Sequence, residues 1–273
     1  MFYCCGITEK GIKARNEDAI LLNNTVLTEG RMDLKLNRPF IAAVCDGVSG
    51  ENSGDIASRM VLGELAKQEF DSSFDFQRVI MRIHRQLKIY GRFHKNSANM
   101  QTTLCGLAVD ENQQMYCINV GDSRLYRFRG SELKQLSKDQ SLVQMLYEQG
   151  KITFEEKRNH VHRNIIMPVL GNTTAKPTID ISMINDKPEY GDVFLICSDG
   201  LSDYVIKSEI ERILSMPMSI SKRLTELVKK SLKKGCRDNV SIIAATYVPD
   251  TLNDEYDDDD EKEADNGEAL ATE

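Results

Sequence analysis

Short runs of β-branched and aromatic residues recur along the chain, and the links between several of them are too short to hold a helix. Three runs between Thr103 and Arg129 are joined only by DENQ and GDS. Strands linked in this way must turn back on themselves, because a parallel crossover needs about a dozen residues. The spacing therefore predicts an antiparallel meander over Thr103–Val109, Gln114–Val120 and Arg124–Arg129.

Helical periodicity occupies other stretches of the chain. Apolar residues recur every three or four positions in Ser53–Phe70, Phe76–Tyr90 and Ile220–Lys234, and a shorter helix is predicted over Leu142–Gln149. The other predicted strands are Phe2–Ile7, Ala19–Leu22, Phe40–Cys45, Thr178–Met183, Asp192–Cys197 and Val240–Val248. Helices placed between such strands predict layers of helix packed on antiparallel sheet.

Two of the apolar runs end directly in an Asp-Gly step. Phe40–Cys45 leads into Asp46, and Val193–Cys197 leads through a serine into Asp199. Further acids flank other runs, in RNED (15–18), NVGDSR (119–124) and RDNVSII (237–243). One Asp-Gly step alone is most often a turn. Its repetition at the rims of apolar strands predicts that carboxylates gather at one place.

Gathered carboxylates require a counter-charge. Two carboxylates about 5 Å apart repel by roughly 3 kcal/mol at an effective dielectric near 20, so a cluster needs a cation or raised pKa values. No histidine or cysteine stands in a ligand position of these motifs, and an all-oxygen set suits Mg²⁺ or Mn²⁺ better than Zn²⁺. Two such ions sharing one carboxylate could activate a bridging water for in-line attack on phosphorus.

In their order along the chain, these motifs resemble those of the metal-dependent serine/threonine protein phosphatases, the type 2C or PPM family. The resemblance covers about residues 6–248. Its motifs are NED (16–18), DG (46–47), TT (102–103), NVGDSR (119–124), DQS (139–141), G-x-I-T (150–153), LG (170–171), SDG (198–200) and DN (238–239). Each motif is weak alone, whereas the ordered set is specific, and DGVSG is typical of bacterial members.

The resemblance implies a fold and a ligand set. The family fold is α+β, a four-layer α-β-β-α sandwich of two antiparallel sheets flanked by helix pairs, with the metals at one end. By motif, Asp46 would bridge two ions, and Glu17 and the Gly47 carbonyl would complete the first. Asp199 and Asp238 would bind the second ion, so that these two and Asp46 form the catalytic centre.

The resemblance also assigns supporting roles. Asp122 matches the aspartate that helps to bind a third, weaker ion in many bacterial members. Asp18 and Asn239 would orient the ligands and the metal-bound waters. The segment from Met145 to Met167 resembles the flap that borders substrate in the family.

The chain departs from the family pattern at two positions. The arginine that grips phosphate, four residues before the metal-binding glutamate, is replaced by Lys13, a point charge in place of a bidentate fork. Arg15 could reach the phosphate instead, or it could be a surface residue. Val48 stands where animal members have a histidine that protonates the leaving group, so a metal-bound water could serve as the acid.

The histidines and cysteines are not expected to bind metal. His160 and His162 form an H-x-H pair that could hold an ion, but in a flap-like loop they are interpreted as surface or substrate-facing residues. His84 and His94 are interpreted as solvated. The seven cysteines include no C-x-x-C pair, and most lie within apolar runs, which predicts buried free thiols of a reducing compartment.

Charge divides the chain in two. Residues 250–273 contain twelve acids and one lysine, whereas residues 1–249 contain 30 acids and 34 basic residues. We therefore expect a phosphatase domain over 1–249 and a disordered acidic tail over 250–273. The body, near +4, lacks the basic signature of a nucleic-acid binder, and no apolar run approaches the roughly 18 residues that span a bilayer.

The sequence thus predicts a cytoplasmic, monomeric hydrolase of phosphoserine and phosphothreonine on proteins. The attacking group would be a hydroxide bridging two Mg²⁺ or Mn²⁺ ions, with a third ion possible and Lys13 or Arg15 binding phosphate. By analogy, a Ser/Thr kinase acts in opposition, and neither nucleic acid nor membrane is a partner. Two alternatives stay open: a pseudophosphatase that binds phosphoproteins without turnover, and another two-metal hydrolase such as a nuclease.

Overall fold

Twelve strands form two six-stranded antiparallel sheets in the computed structural model, which describes residues 1–48 and 53–250. The strands are β1 Phe2–Glu9, β2 Ala19–Leu22, β3 Thr25–Leu27, β4 Gly30–Leu36, β5 Phe40–Cys45, β6 Leu104–Val109, β7 Met115–Val120, β8 Arg124–Arg129, β9 Glu132–Gln135, β10 Asp180–Ile184, β11 Val193–Cys197 and β12 Val240–Tyr247. Sheet A has the order β4-β1-β12-β11-β8-β9, and sheet B the order β10-β7-β6-β5-β2-β3.

The helices cover the outer faces of the two sheets. They are α1 Gly54–Ala66, α2 Phe76–Phe93, α3 Leu142–Glu148, α4 Phe154–Asn159, α5 Asp199–Ser202, α6 Lys207–Leu214 and α7 Ile220–Lys233, with one 3₁₀ turn over Lys95–Ser97. Helices α1 and α2 pack on sheet B, and α6 and α7 pack on sheet A. No helix of the described ranges combines the length and the apolar character that crossing a membrane requires.

Three apolar layers hold the sandwich together, one beneath each helix pair and one between the sheets. The central layer contains three fully buried phenylalanines, and the rings of Phe2 and Phe40 meet edge to face with centroids 5.1 Å apart. Phe194 lies on β11 of the same sheet as Phe2, and the centroids of these two rings are 6.4 Å apart. Burial of about 25 cal/mol per Å² of apolar surface makes these layers the main source of stability. The predicted four-layer α+β sandwich is confirmed.

The predicted meander is wrong at its third strand. β6 and β7 pair antiparallel as expected, but β8 pairs with β11 and β9 in the opposite sheet. The link GDS therefore crosses between sheets. Gly121 has φ 111°, which a side chain rarely tolerates, and it redirects the chain at this point. Sequence spacing could not reveal the switch, since a hairpin and a sheet crossing need equally few residues.

Several elements were not predicted. β4 and β9 lie at the edges of sheet A and alternate charged with apolar residues, which natural edge strands do to avoid aggregation. Helix α4 carries a readable signal, because Thr153 and Glu156 form a capping box. The predicted acidic tail, apart from Asp250, lies outside the described residues.

Candidate active site

The register of the strands brings the predicted acids to one end of the sandwich. In sheet B, Ala19 pairs with Cys45, so Asp18 and Asp46 lie just beyond the same end of neighbouring strands. In sheet A, Cys197 pairs with Ile242. Since Asp199 follows β11 and Asp238 precedes β12, these two acids also reach that end. Four acids distant in sequence therefore share one rim.

The main chain at Asp46 is fixed by two threonines of the TT motif. Its amide donates to Thr103 Oγ1 at 3.0 Å. Its carbonyl accepts from Thr102 Oγ1 at 2.9 Å and from the Thr103 amide at 2.9 Å. Both threonines are buried. This network leaves little freedom to the backbone that presents the Asp46 carboxylate.

The carboxylates strongly perturb one another. Burial raises the pKa of Asp46 well above its usual value, and the charges of Asp18, Asp199, Asp238 and Asp122 raise it further. Burial likewise raises the pKa of Asp199, with Asp122 and then Asp203 as the next causes. The pKa of Asp18 is raised to about 6 by burial. Carboxylates that raise one another's pKa lie close enough to repel, so bound protons or cations must offset their charge.

Lys13 supplies positive charge at the rim. Its ammonium forms an ion pair with Asp238 Oδ1 and lies 3.7 Å from Glu17 Oε2. Burial lowers the Lys13 pKa, but the Asp238 contact outweighs this and the net shift is upward. The lysine is therefore charged at neutral pH and stands between two carboxylates that the motifs assign to different ions.

Asn239 ties the ligand loops together. Its Oδ1 accepts from the Glu17 amide at 2.9 Å, while its Nδ2 donates to the carbonyls of Lys10 and Arg15 at 2.9 and 3.0 Å. The side chain is buried. One amide group thus holds the loop before β2 against the start of β12, which sets the position of Glu17.

Asp18 is held from sheet A. Ser198 Oγ donates to Asp18 Oδ2 at 2.9 Å, so the serine of the SDG motif links the two halves of the cluster. Sequence reasoning gave Ser198 no role. Its position directly before Asp199 is the only signal that could have suggested one.

The donor set fits hard divalent cations. Asp199 Oδ1 is buried with no hydrogen-bond partner among the described residues, and such an orphaned carboxylate oxygen calls for a ligand. Within 1–48 and 53–250, no three acidic, imidazole or thiol groups are already gathered around one point. Mg²⁺ commonly binds through one or two carboxylates and keeps several waters, so it does not need three protein groups gathered in advance.

The sequence profile described as Protein phosphatase 2C matches residues 16–237. The chain belongs to the protein phosphatase 2C family. It is accordingly an enzyme, a protein phosphatase, as the motifs predict. The match covers most of the described domain and includes the acids from Glu17 to Asp199.

Curated relatives agree with this assignment to the phosphatase 2C family. The chain is 31% identical over 246 residues to the serine/threonine phosphatase stp of Listeria welshimeri, covering 86% of this chain and 92% of that protein. It is 28% identical over 242 residues to the serine/threonine protein phosphatase PstP of Mycobacterium tuberculosis, covering 87% of this chain and 43% of that protein.

Solved phosphatase 2C structures have the same fold. Serine/threonine phosphatase Stp1 from Staphylococcus aureus superposes with a TM-score of 0.76 at 29% identity, covering 91% of this chain and 96% of that one. The catalytic domain of PstP, in complex with two manganese ions, superposes with a TM-score of 0.71 at 26% identity, covering 91% and 100%.

Asp122 and Asp203 lie beside Asp199 in the cluster of this phosphatase 2C chain, and both act on its pKa. Burial raises the pKa of Asp122 to about 7, with Asp139 and Asp203 as further causes. Asp203 follows Asp199 by one helical turn and also has a raised pKa, chiefly from burial. The sequence analysis assigned Asp122 to a third ion but gave Asp203 no role, although the i, i+4 spacing in SDGLSD places both aspartates on one helix face.

The structure separates the two candidate phosphate-binding residues and corrects the interpretation of one histidine. Lys13 lies at the cluster, whereas the Arg15 side chain is exposed and forms no ion pair with any described residue. The interpretation of His84 as solvated is wrong: it is 3% exposed, and its Nδ1 accepts from the Gly171 amide at 3.1 Å. Its position on the predicted apolar face, four residues after Ile80 and three before Leu87, was the missed signal. His94 is exposed as predicted, and all seven cysteines are free and buried.

Proposed function

We propose that this protein hydrolyses phosphoserine and phosphothreonine on proteins with the help of two divalent cations, Mg²⁺ or Mn²⁺. The observation that carries the proposal is the meeting of Asp46, Asp199, Asp238 and Glu17 at one rim, with Asp199 Oδ1 buried and unpaired within the described residues. Relatives named as serine/threonine phosphatases and a manganese-bound structural neighbour support it.

The ligands would divide between the two ions by position. Glu17, Asp46 and the Gly47 carbonyl would hold one ion, and Asp46, Asp199 and Asp238 the other. When bound, the cations would supply an activated water and offset negative charge on the phosphoryl group. A third ion would bind at Asp122.

The protein's own groups orient these ligands. Asn239 fixes the Glu17 main chain, and Ser198 holds Asp18 beside Asp46. Because each contact joins the two sheets or two loops, the spacing of the ligands depends on the rigid sandwich. Hydrogen bonds from neighbouring residues to the ligating residues usually set the orientation of the ligands in metal sites.

Lys13 would bind the substrate phosphate. Its ammonium already contacts carboxylates at the rim, and it could turn to phosphate once cations neutralise these acids. A lysine contributes charge without the fixed fork of an arginine. The phosphate would therefore be positioned mainly by the cations, with Lys13 adding electrostatic attraction.

The natural substrates would be phosphoproteins, opposed by a Ser/Thr kinase. A pseudophosphatase that only binds phosphoproteins is not favoured, since the described site retains every acid that the motifs assign to metal. Hydrolysis of nucleic acid by a related two-metal mechanism would be the second outcome to check.

The decisive experiment is turnover of an aryl phosphate and of phosphothreonine peptides with Mn²⁺, Mg²⁺ or EDTA. We expect activity only with a divalent cation, and a loss of about a thousandfold or more in Asp46→Asn and Asp199→Asn, because each removes a metal ligand. Circular dichroism should show both variants folded. Full activity in EDTA or in either variant, or cleavage of DNA instead, would contradict the proposal.

A further inference from the structure

A small helical segment covers one side of the site. This flap, residues 145–167, contains most of α3 and all of α4. Main-chain hydrogen bonds secure only its base, from the Leu142 amide to the Ile165 carbonyl at 2.9 Å and from the Met167 amide to the Gln140 carbonyl at 2.8 Å. The outer helix α4 must therefore be placed by side chains.

Two side chains of α4 reach outside the flap: Arg158 donates from Nη2 to the Asp203 carbonyl at 3.3 Å, and the more shielded Lys157 ties α4 to the sheet. Its Nζ donates to Asp139 Oδ2 at 3.1 Å and also to Gln144 Oε1 on α3. Asp139 is in turn gripped by Arg124 of β8, through Nε to Oδ1 at 2.9 Å and Nη2 to Oδ2 at 2.7 Å. A continuous chain of charge-assisted contacts thus runs from sheet A to the flap.

The Lys157–Asp139 pair is shielded from water. The Asp139 side chain is 3% exposed and the Lys157 side chain 15%. Burial alone would raise the Asp139 pKa, but the charges of Arg124 and Lys157 outweigh it, and the pKa is lowered. Exposed ion pairs contribute little to the stability of a fold, whereas removing one partner of a shielded pair destabilises it more strongly.

The flap forms one wall of a groove. A depression of about 970 Å³ lies between α4, strand β9 and helix α6, and it begins beside Asp122 and Asp203 at the rim of the carboxylate cluster. Leu133, Val205 and Ile210 contribute apolar surface to it. The width of this groove depends on where α4 stands.

We propose that Lys157 is a positioning residue that latches the flap to the sheet edge through Asp139 and thereby sets the affinity for polypeptide substrates. The inference rests on the proposed phosphatase function. Lys157 contacts Asp139 and Gln144, not the cluster acids. A phosphopeptide extends beyond the phosphoryl group into the groove, whereas an aryl phosphate is too small to reach α4. The latch therefore acts on polypeptide binding and leaves the chemical step unchanged.

The test compares Lys157→Met with Lys157→Arg and with Lys151→Met, an exposed lysine of the same flap. For Lys157→Met we expect KM for a phosphothreonine peptide to rise about fivefold relative to KM for an aryl phosphate. The kcat for both substrates should stay within about twofold of the wild-type value, because the lost contact lies outside the reaction centre. Lys157→Arg should recover most of the peptide affinity, and Lys151→Met should match the wild type.

A second readout follows the flap itself. Trypsin should cleave after Arg158 or Arg163 several times faster in Lys157→Met than in Lys151→Met, because local opening exposes the chain to the protease. Absence of all turnover in the wild type would reject the phosphatase proposal but not the latch, which proteolysis tests alone. Equal KM changes for both substrates, unchanged peptide KM, or unchanged proteolysis in Lys157→Met would overturn the latch.

Discussion

Lys13 and Asp238 form an ion pair at the rim of the carboxylate cluster, and the same ammonium lies 3.7 Å from Glu17 Oε2. One lysine thus neutralises two acids that the motifs assign to different cations. Bound cations would repel the Lys13 ammonium and compete with it for the carboxylates, whereas a bound phosphate would attract it.

Replacement of Lys13 by methionine separates these effects. We expect the Mn²⁺ concentration for half-maximal activity to fall, and KM for an aryl phosphate to rise by about five- to tenfold, as expected for loss of one charged contact. Lys13→Arg should restore or lower KM, because its fork fits phosphate. Arg15→Met is the matched control, and a raised KM in that variant alone would identify Arg15 as the phosphate ligand.

The metal-free protein should be more stable in mild acid than at neutral pH. Burial raises the pKa of Asp18 to about 6 and of Asp122 to about 7. The folded state then binds protons more tightly than the unfolded state. The stabilisation that comes from protonating these two acids is therefore complete below about pH 4 and is lost as the pH rises through about 7. One pKa unit is worth roughly 1.4 kcal/mol, or about 3–6 °C in Tm for a domain of this size.

Thermal unfolding in EDTA at pH 5 and pH 7.5 tests this dependence. We expect a Tm at least about 3 °C higher at pH 5, given those conversions. Saturating Mn²⁺ should reverse the order, since cations bind the ionised acids. Asp122→Asn should flatten the metal-free profile, and a Tm that rises with pH in EDTA would show that the cluster is not repulsive.

Gly200 is expected to be irreplaceable for packing reasons. A Cβ at this position would lie 1.9 Å from the Asn239 carbonyl oxygen, which is rigid backbone. Gly200→Ala should therefore separate the SDG and DN motifs and reduce the unfolding free energy by about 3 kcal/mol or more, beyond ordinary overpacking. Gly63→Ala is the control: it lies within α1 with open space around it, and it should stabilise by about 0.5–1 kcal/mol. Urea unfolding of both variants distinguishes a steric cause from a general intolerance of alanine.

His84 should act as a brace behind the site. Burial, and then the charges of Lys88 and Arg85, lower its pKa, so the neutral ring can accept the Gly171 hydrogen bond. Leu170, the preceding residue, exchanges main-chain hydrogen bonds of 3.1 and 3.2 Å with Thr102, whose hydroxyl donates to the Asp46 carbonyl. His84 is thus linked through Thr102 to Asp46, the residue proposed to share both cations.

His84→Leu should leave the Gly171 amide unpaired, at a cost of about 1–3 kcal/mol, and should weaken Mn²⁺ binding measured by calorimetry. His84→Asn retains an acceptor and should recover part of both losses. His94→Leu, at the exposed end of the same helix, serves as the control. Unchanged stability and Mn²⁺ affinity in His84→Leu would refute the brace.

Much of the fold was predictable because its core strands are uniformly apolar. β2 and β5 begin and end where the residue pattern predicts them, and α2 differs from its prediction only in extending to Phe93. The edge strands β4 and β9 and helix α6 were not predicted, since their charged residues obscure the apolar period. The edge strand β3 is only three residues long, too short to show a period. The crossing of β8 to sheet A was not predictable from link length, because Gly121 permits a direction that spacing does not encode.

The sequence by itself determined the chemistry of the candidate ligands: oxygen-bearing residues stand at the ends of several apolar strands, and Lys13 stands where the family pattern has an arginine. Only the tertiary structure decided which side chains meet. Asn239 reaches Glu17 across 222 positions, and Lys157 finds Asp139 beneath the flap. The register of the strands brings these residues together, and it is set by burying one face of each strand along its whole length. A local sequence pattern does not contain this information about residues far apart in the chain.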